Sequence, residues 1–186
     1  MENSNWGQGK SSFRPIGFLE RFTMKKITAL IIILLVAVIP SSALGARPSA
    51  GDKAPDFSLK TLDGKQISLS KFKGKVVLIG MFHICVPCMN QAMEFNKVRD
   101  KLDENQVVIL GINTNGDSKD AVTKYLSKFP QKIRFPYLID PVKSFYQDYL
   151  QRDMPTVLII DKKGILNARS PSVGADQLVP YLKKLL

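Results

Sequence analysis

The stretch VVLIGMFHICVPCM, residues 76–89, decides the fold of this chain. It begins with a continuous apolar run, Val76 to Phe82, which predicts a strand buried on both faces, as in the centre of a parallel sheet. Two cysteines follow, and the apolar spacing from Met89 to Leu102 predicts an amphipathic helix with Cys88 on its inward stripe. The order of strand, cysteine pair and helix therefore places both sulfurs at the start of a helix.

Cys85 and Cys88 are the only cysteines in the chain. The first N–H groups of a helix are unpaired and carry partial positive charge, so a thiolate placed there is stabilised. Pro87 suits the first helical turn, where its missing N–H costs nothing. A disulfide across so short a loop would stabilise the fold by only about 2 kcal/mol. The pattern favours a redox dithiol over the alternatives of a structural disulfide or a metal site.

Length and composition indicate one domain with an N-terminal extension. The chain has 186 residues, 45% of them apolar, and a net charge of +11. Met1 to Gly45 contains five basic and two acidic residues, which leaves the remainder at +8. The lysines are scattered, which indicates a solvated basic surface or, alternatively, attraction to an acidic partner or an anionic membrane. No basic stripe is interleaved with aromatic residues, so nucleic-acid binding is not expected.

Residues 24–45 have the pattern of a signal peptide. Two lysines precede thirteen uncharged residues, Ile27 to Ile39, and small residues follow at a cleavage site. Thirteen residues fall short of the roughly 20 that span a bilayer. We therefore expect export with cleavage after Ala43 or Gly45 and a periplasmic or extracytoplasmic location. An uncleaved anchor through residues 27–44 is the alternative.

Residues 1–23 are polar and aperiodic, and signal peptides rarely follow such a segment. They are interpreted as a non-native or disordered extension, with translation starting at Met24.

Beyond the cysteines, the pattern predicts an α/β domain over residues 49–186. Alternating residues flank Asp63-Gly64 and predict an N-terminal β-hairpin, and Val107 to Ile112 predicts a second buried strand. The remaining predicted elements are a helix from residue 117 or 118 to 128, a strand at 135–139, a helix at 141–150, a hairpin at 156–169 and a closing helix at 176–186. Together they predict a central mixed β-sheet flanked by helices, parallel in the middle and antiparallel at its ends.

Two further segments give the domain a family resemblance. In Arg152-Asp-Met-Pro-Thr156 a proline directly precedes an apolar strand, and the domain opens with Gly51-Asp-Lys-Ala-Pro-Asp-Phe-Ser-Leu59. With Cys-Val-Pro-Cys at a strand–helix junction, the domain resembles the thioredoxin superfamily. The match is to exported thiol–disulfide oxidoreductases of the TlpA/ResA type, related to the alkyl hydroperoxide reductase/thiol-specific antioxidant proteins. The resemblance implies a thioredoxin-like fold.

The resemblance also implies roles for individual residues. Cys85 is expected to be the nucleophile and Cys88 the resolving cysteine. Pro155 is expected to be a cis-proline facing the disulfide, and Met154 to offer backbone groups to an extended substrate peptide.

Pro87 and Phe82 are also expected to contact the substrate. The superfamily's buried acid, six residues before the first cysteine, is replaced here by Ile79, and a glutamate of some members by Gln91. The chain thus lacks the usual base for the resolving thiol. Gln91 and His83, the only histidine, are therefore candidate modulators of the dithiol, although His83 is equally consistent with a loop residue that has no role.

By resemblance the protein is an enzyme whose thiolate attacks a substrate disulfide, after which Cys88 resolves the mixed disulfide. Expected substrates are protein thiols or disulfides, including those of apocytochrome c during cytochrome c maturation. Electrons are expected from a membrane or exported donor. No metal and no cofactor beyond the redox-active disulfide Cys85–Cys88 are expected, and the protein is expected to be a monomer.

Two other functions remain as alternatives. A thiol peroxidase places Thr or Ser three residues before its reactive cysteine, where this chain has Phe82. A copper metallochaperone on the same fold would need a third ligand, but no histidine follows His83.

Overall fold

Seven strands form one mixed sheet in a computed structural model that describes residues 47–186. The strands are β1 (Ser58–Thr61), β2 (Gln66–Ser68), β3 (Val76–Phe82), β4 (Val107–Asn113), β5 (Tyr137–Ile139), β6 (Thr156–Ile160) and β7 (Leu166–Ser170). Their order is β2-β1-β5-β4-β3-β6-β7. The pairs β3/β4 and β4/β5 are parallel and the others antiparallel, which confirms the predicted mixed sheet and its entry hairpin. The predictions for residues 1–23 and 24–45 lie outside the described residues.

Four helices within residues 47–186 cover the sheet: α1 (Val86–Arg99), α2 (Lys119–Leu126), α3 (Ser144–Tyr149) and α4 (Ala175–Lys183). Helices α1 and α4 share a core with one face of the sheet, and the aromatic residues of α3 pack on the other. A short 3-10 helix, Leu69–Phe72, follows β2. Within residues 47–186, none of the helices has the length and apolar character that crossing a bilayer requires.

Helix α3 begins later than predicted. Pro141 was expected to start it, but Lys143 has a left-handed backbone, with φ 58°, and the helix begins at Ser144. The buried carboxylate of Asp140 explains the delay, because it accepts hydrogen bonds from the backbone N–H groups of Ser144 and Tyr146 and caps the helix start.

Strand β3 is the centre of the fold, and all seven of its residues are buried. It lies between β4 and β6. Its side chains alternate between the two cores: Val76, Leu78 and Phe82 face the α1 side, and Val77, Ile79 and Met81 face the α3 side. An all-apolar strand is what burial on both faces requires.

Two paired glycines make room for aromatic rings under the end of β3. Gly80 of β3 pairs with Gly111 of β4. A Cβ at Gly80 would overlap the ring of Phe82, and one at Gly111 would lie 2.8 Å from the ring of Tyr137. The rings of Phe82 and Tyr137 stack at a centroid distance of 6.0 Å, directly below the strand–helix junction that carries the cysteines.

Candidate active site

The cysteine pair lies where β3 leaves the sheet and α1 begins. Cys85 is the N-cap of α1, with extended backbone at φ −154° and ψ 159°, and its Sγ accepts a hydrogen bond from the Cys88 N–H at 3.3 Å. Pro87 is in the first turn, where no backbone N–H is needed. The carbonyl ends of β3 and β4 and the start of β6 meet at this same edge, so the loops that follow or precede them surround the dithiol.

The two thiols are in contact but differ in exposure. Both cysteines are free, and their sulfurs are 2.6 Å apart. Cys85 is half-buried, whereas Cys88 is 1% exposed and accepts a hydrogen bond from the His83 N–H at 3.3 Å. A bulky substrate can therefore reach the sulfur of Cys85 but not that of Cys88.

Burial makes the Cys88 thiol a weak acid. Burial, followed by the hydrogen bond with Cys85, raises the pKa of Cys88 to about 12, and the His83 N–H only partly offsets this. At neutral pH Cys88 is a protonated thiol. The site thus has one accessible sulfur, that of Cys85, and one buried, protonated sulfur beside it, that of Cys88.

A loop of residues 151–155, called here the proline loop, lies at the same edge. The Met154–Pro155 peptide bond is cis, Met154 is 46% exposed and Pro155 is buried. Thr156, the first residue of β6, pairs with Met81 of β3 and donates its hydroxyl to the Asp153 carbonyl at 2.6 Å. This pairing holds the proline loop beside the end of the strand that carries the cysteines.

Tyr125 is a site residue that the sequence did not reveal. From α2, its hydroxyl donates a hydrogen bond to the carbonyl of Cys85 at 2.6 Å. Burial raises the pKa of Tyr125, so the hydroxyl keeps its proton and stays a donor. The only sequence signal was a tyrosine on the inward stripe of a helix, and such a tyrosine is usually just a core residue.

Gln151 and Thr114 form a second hydrogen-bonded group that was missed. Gln151 is 8% exposed and Thr114 is fully buried, and the Thr114 hydroxyl donates to the Gln151 Oε1 at 2.5 Å. The two residues are far apart in sequence, and neither belongs to a recognisable motif.

His83 is half-buried beside this group. Burial lowers the pKa of His83, while the side chain of Gln151 and the charge of Asp117 oppose the shift. The imidazole is therefore neutral at neutral pH, and a neutral ring does not stabilise a thiolate by charge. Modulation of the dithiol by His83 stays a prediction, beside the alternative that it is a loop residue with no role.

Gln91 is fully buried, as the inward stripe of α1 predicts, and its carboxamide faces the loop before α4. Its Nε2 donates to the Val173 carbonyl at 2.8 Å, and its Oε1 accepts from the Val173 N–H at 2.7 Å and the Ser172 hydroxyl at 2.8 Å. These bonds give Gln91 a structural role, and its influence on Cys88 stays a prediction.

That prediction is tested by Gln91→Glu. A carboxylate introduced near the partly buried sulfur should raise the pKa of Cys88, because like charges disfavour each other's ionisation. It should also lower the free energy of unfolding by about 1–3 kcal/mol, since the oxygen that replaces Nε2 would face the Val173 carbonyl. The measurement is titration of the Cys88 thiol in a Cys85→Ser background. A Cys88 pKa that Gln91→Glu leaves unchanged would make Gln91 a packing residue only.

The structure corrects one predicted role. Phe82 is 1% exposed and packs against Phe95 and Tyr137, so its side chain is core and the predicted substrate contact is wrong. The side chain is buried because both faces of β3 are covered, and Phe82 lies on the face that packs against α1. The exposed apolar residues beside the cysteines are instead Ile84 and Val86, at 42% and 64%, and Pro87 is exposed as well.

No three His, Cys, Asp or Glu side chains in residues 47–186 are gathered as metal ligands would be. The described part of the chain therefore offers no observation that favours the copper-binding alternative.

Comparison with known proteins matches residues 50–169 to the AhpC/TSA family. The thioredoxin-like protein YneN of Bacillus subtilis is 35% identical over 118 residues, which cover 62% of this chain and 68% of that protein. The thiol-disulfide oxidoreductase ResA of Bacillus thuringiensis subsp. konkukian is 30% identical over 137 residues, which cover 73% and 78%. Among solved structures, the exposed lipoprotein thioredoxin of Streptococcus pneumoniae superposes with a TM-score of 0.59 and 27% identity, covering 70% of this chain and 100% of that one.

Proposed function

Because the chain belongs to the AhpC/TSA family and is a thiol–disulfide oxidoreductase of the thioredoxin fold, we propose that it exchanges disulfides with exported proteins through Cys85 and Cys88. The observation that carries this proposal is the unequal thiol pair at the start of α1. One sulfur is accessible and accepts a helix N–H, and the other is buried, protonated and in contact with the first.

The reaction proceeds in two exchanges. The Cys85 thiolate attacks one sulfur of a substrate disulfide, forms a mixed disulfide and releases the other substrate sulfur as a thiolate. Cys88 then loses its proton and attacks the Cys85 sulfur, which releases the second substrate sulfur. The dithiol is oxidised to the Cys85–Cys88 disulfide, and the substrate disulfide is reduced to two thiols by the same two electrons. An electron donor returns the disulfide to the dithiol, and the reverse sequence oxidises a substrate.

The surface around Cys85 supports a polypeptide substrate. Ile84 and Val86, the chain neighbours of Cys85, have exposed apolar side chains, and Met154 is exposed in the proline loop at the same edge of the sheet. Exposed apolar side chains grouped at one edge are typical of interaction sites. We place an extended substrate segment along the backbone of Met154 and Pro155. No cofactor beyond the dithiol is needed, and we propose that the protein acts as a monomer.

Paired cysteines of a c-type apocytochrome are the proposed substrate, and the proposed electron source is a membrane or exported donor. Cysteines in a Cys-x-x-Cys-His segment are the haem attachment sites of such proteins. The relative ResA is a thiol-disulfide oxidoreductase, which supports the disulfide chemistry of this proposal but does not identify the substrate.

The substrate proposal is tested with an oxidised Cys-x-x-Cys-His peptide and a control peptide of the same composition in shuffled order, both with an intramolecular disulfide. We expect the reduced protein to reduce the first peptide with the larger kcat/KM. Equal rates would contradict the cytochrome assignment but not disulfide exchange. Failure to reduce both peptides and insulin, together with failure of the oxidised protein to oxidise the reduced peptides, would contradict disulfide exchange itself.

Export is proposed on the signal-peptide pattern of residues 24–45. Expression of the full chain, cell fractionation and N-terminal mass spectrometry of the product test it. We expect an extracytoplasmic protein that begins near Ala46. A mature product that contains a peptide from Met1 to Arg21 would contradict both the cleavage and the start at Met24.

A further inference from the structure

Gln151 makes three side-chain hydrogen bonds, two to segments that are distant in sequence and one within its own loop. Its Nε2 donates to the carbonyl of Met81, near the end of β3, at 3.1 Å. The same Nε2 donates to the carbonyl of Asp153 at 3.1 Å, and Oε1 accepts from the hydroxyl of Thr114, which follows β4. One buried carboxamide therefore joins three segments: β3, which leads to the cysteines, the residue that follows β4, and the proline loop.

Each atom of this amide is matched to its partner. Two carbonyl oxygens need donors, and Nε2 has two N–H groups, while Oε1 takes the proton of the Thr114 hydroxyl. An apolar residue of the same size would leave all three partners without this bond. A carboxylate would put an oxygen against the two carbonyls. Only an amide of this length satisfies the arrangement.

The hydrogen bond from Gln151 to the Asp153 carbonyl fixes the backbone next to Met154, where we place the substrate. The carbonyl of Asp153 belongs to the peptide group that ends at the Met154 nitrogen, so fixing that carbonyl fixes the plane of the adjacent Met154 N–H. Met154 is also the residue proposed to offer its backbone to the substrate. The proline loop carries exposed charged residues at Arg152 and Asp153, and from inside it is held by Gln151 and Thr156.

We propose that Gln151 is a positioning residue that fixes the proline loop relative to Cys85, so that a polypeptide bound along Met154 presents its disulfide to the nucleophile. This inference rests on the proposed function. It assigns Gln151 no contact with substrate and no proton transfer. The inference predicts that loss of Gln151 slows the reaction with polypeptide substrates, which need the proline loop. Small reagents, which need only the Cys85 sulfur, should react as before.

The test compares two reactions of Gln151→Met, which keeps the side-chain length and removes all three hydrogen bonds. Insulin disulfide reduction should show KM raised and kcat/KM lowered by about tenfold, because a misplaced bound group reacts more slowly, by as much as about 100-fold for a shift of 1 Å. The rate constant for iodoacetamide labelling of Cys85 should change less than about twofold, since this reagent does not use the loop.

Thr114→Val supplies a partner variant, because it removes the hydroxyl that bonds to Oε1, together with the longer 3.4 Å bond of the same hydroxyl to the Phe82 carbonyl. It should lower kcat/KM for insulin by roughly threefold, and the double variant should be no worse than Gln151→Met, since the two residues act as one unit.

Asn96→Leu is the matched control for general loss of a buried amide. Asn96 is 2% exposed on α1, and its side chain bonds to the Lys132 carbonyl and the Arg134 N–H, away from the proline loop. Like Gln151→Met it should lower stability, but it should leave insulin KM within about twofold of the parent. All rates are taken where each variant is fully folded.

Hydrogen exchange provides a readout that does not depend on activity. Backbone amides of residues 156–158, where the proline loop enters β6, should exchange at least about tenfold faster in Gln151→Met than in the parent and Asn96→Leu proteins. Unchanged exchange, or faster exchange with unchanged insulin KM, would overturn the inference. A parent protein that does not reduce insulin would contradict the proposed function, and the exchange rates would still decide whether Gln151 orders the loop.

Discussion

Cys85→Ser is expected to abolish disulfide exchange, whereas Cys88→Ser is expected to react once and stop as a mixed disulfide with its substrate. Cys85 has the half-buried sulfur at the helix start, and Cys88 is 1% exposed. Because burial raises the pKa of Cys88 to about 12, this thiol keeps its proton at pH 7. Cys88 therefore does not start the reaction, but it lies in contact with the sulfur that must be released.

The same difference predicts the order of labelling. Iodoacetamide reacts with thiolates, so at neutral pH we expect Cys85 to be alkylated at least about 100-fold faster than Cys88. Because the raised pKa of Cys88 lies above the working pH, resolution of the mixed disulfide should accelerate as pH rises. Peptide mapping after brief labelling and a non-reducing gel of each variant measure these outcomes. Labelling of Cys88 first, or adducts only on Cys85→Ser, would reverse the roles.

Phe82→Ala is expected to lower the free energy of unfolding by about 3–5 kcal/mol, because it removes a buried ring and leaves a cavity. The ring packs on Phe95 and Tyr137 and fills the space above Gly80. That loss is a large part of the 5–15 kcal/mol typical of a whole domain. Urea unfolding followed by circular dichroism gives the value.

Two other variants separate a core role for Phe82 from a substrate contact. Phe82→Leu should cost less than Phe82→Ala and should keep insulin KM within about twofold once folded. Val86→Ala, at the 64% exposed residue that directly follows Cys85, should change stability by less than about 0.5 kcal/mol. A Phe82→Leu protein of normal stability with a raised KM would restore the substrate contact that burial argues against.

Sequence patterns predicted the parts of the fold that depend on local chemistry. The run Val76 to Phe82 gave the bounds of β3, because an all-apolar segment of that length suits a doubly covered strand. Ser118 caps α2 through its side chain, as one of the two predicted caps. The start of α3 was missed because the capping side chain of Asp140 precedes the proline that marked the expected start.

The parts of the site that were missed depend on contacts between distant segments. Tyr125 bonds to Cys85 across 40 residues, and Gln151 bonds to Met81 across 70. No periodicity or motif in one sequence encodes such a pairing, since it follows from how the strands and helices pack. Phe82 was expected to contact the substrate because it is near Cys85 in sequence, whereas its side chain is buried in the core beneath the cysteines.

Equilibration of the purified domain with glutathione is the most direct test of a Cys85–Cys88 redox dithiol. The oxidised fraction is read by alkylation and mass spectrometry at a series of ratios of reduced to oxidised glutathione. We expect one intramolecular disulfide that forms in a two-electron transition. Its midpoint reduction potential should be about −270 mV if the protein is a reductant or about −120 mV if it is an oxidant. Two thiols that stay free throughout, or a single glutathione adduct with no intramolecular disulfide, would contradict the redox role of this pair.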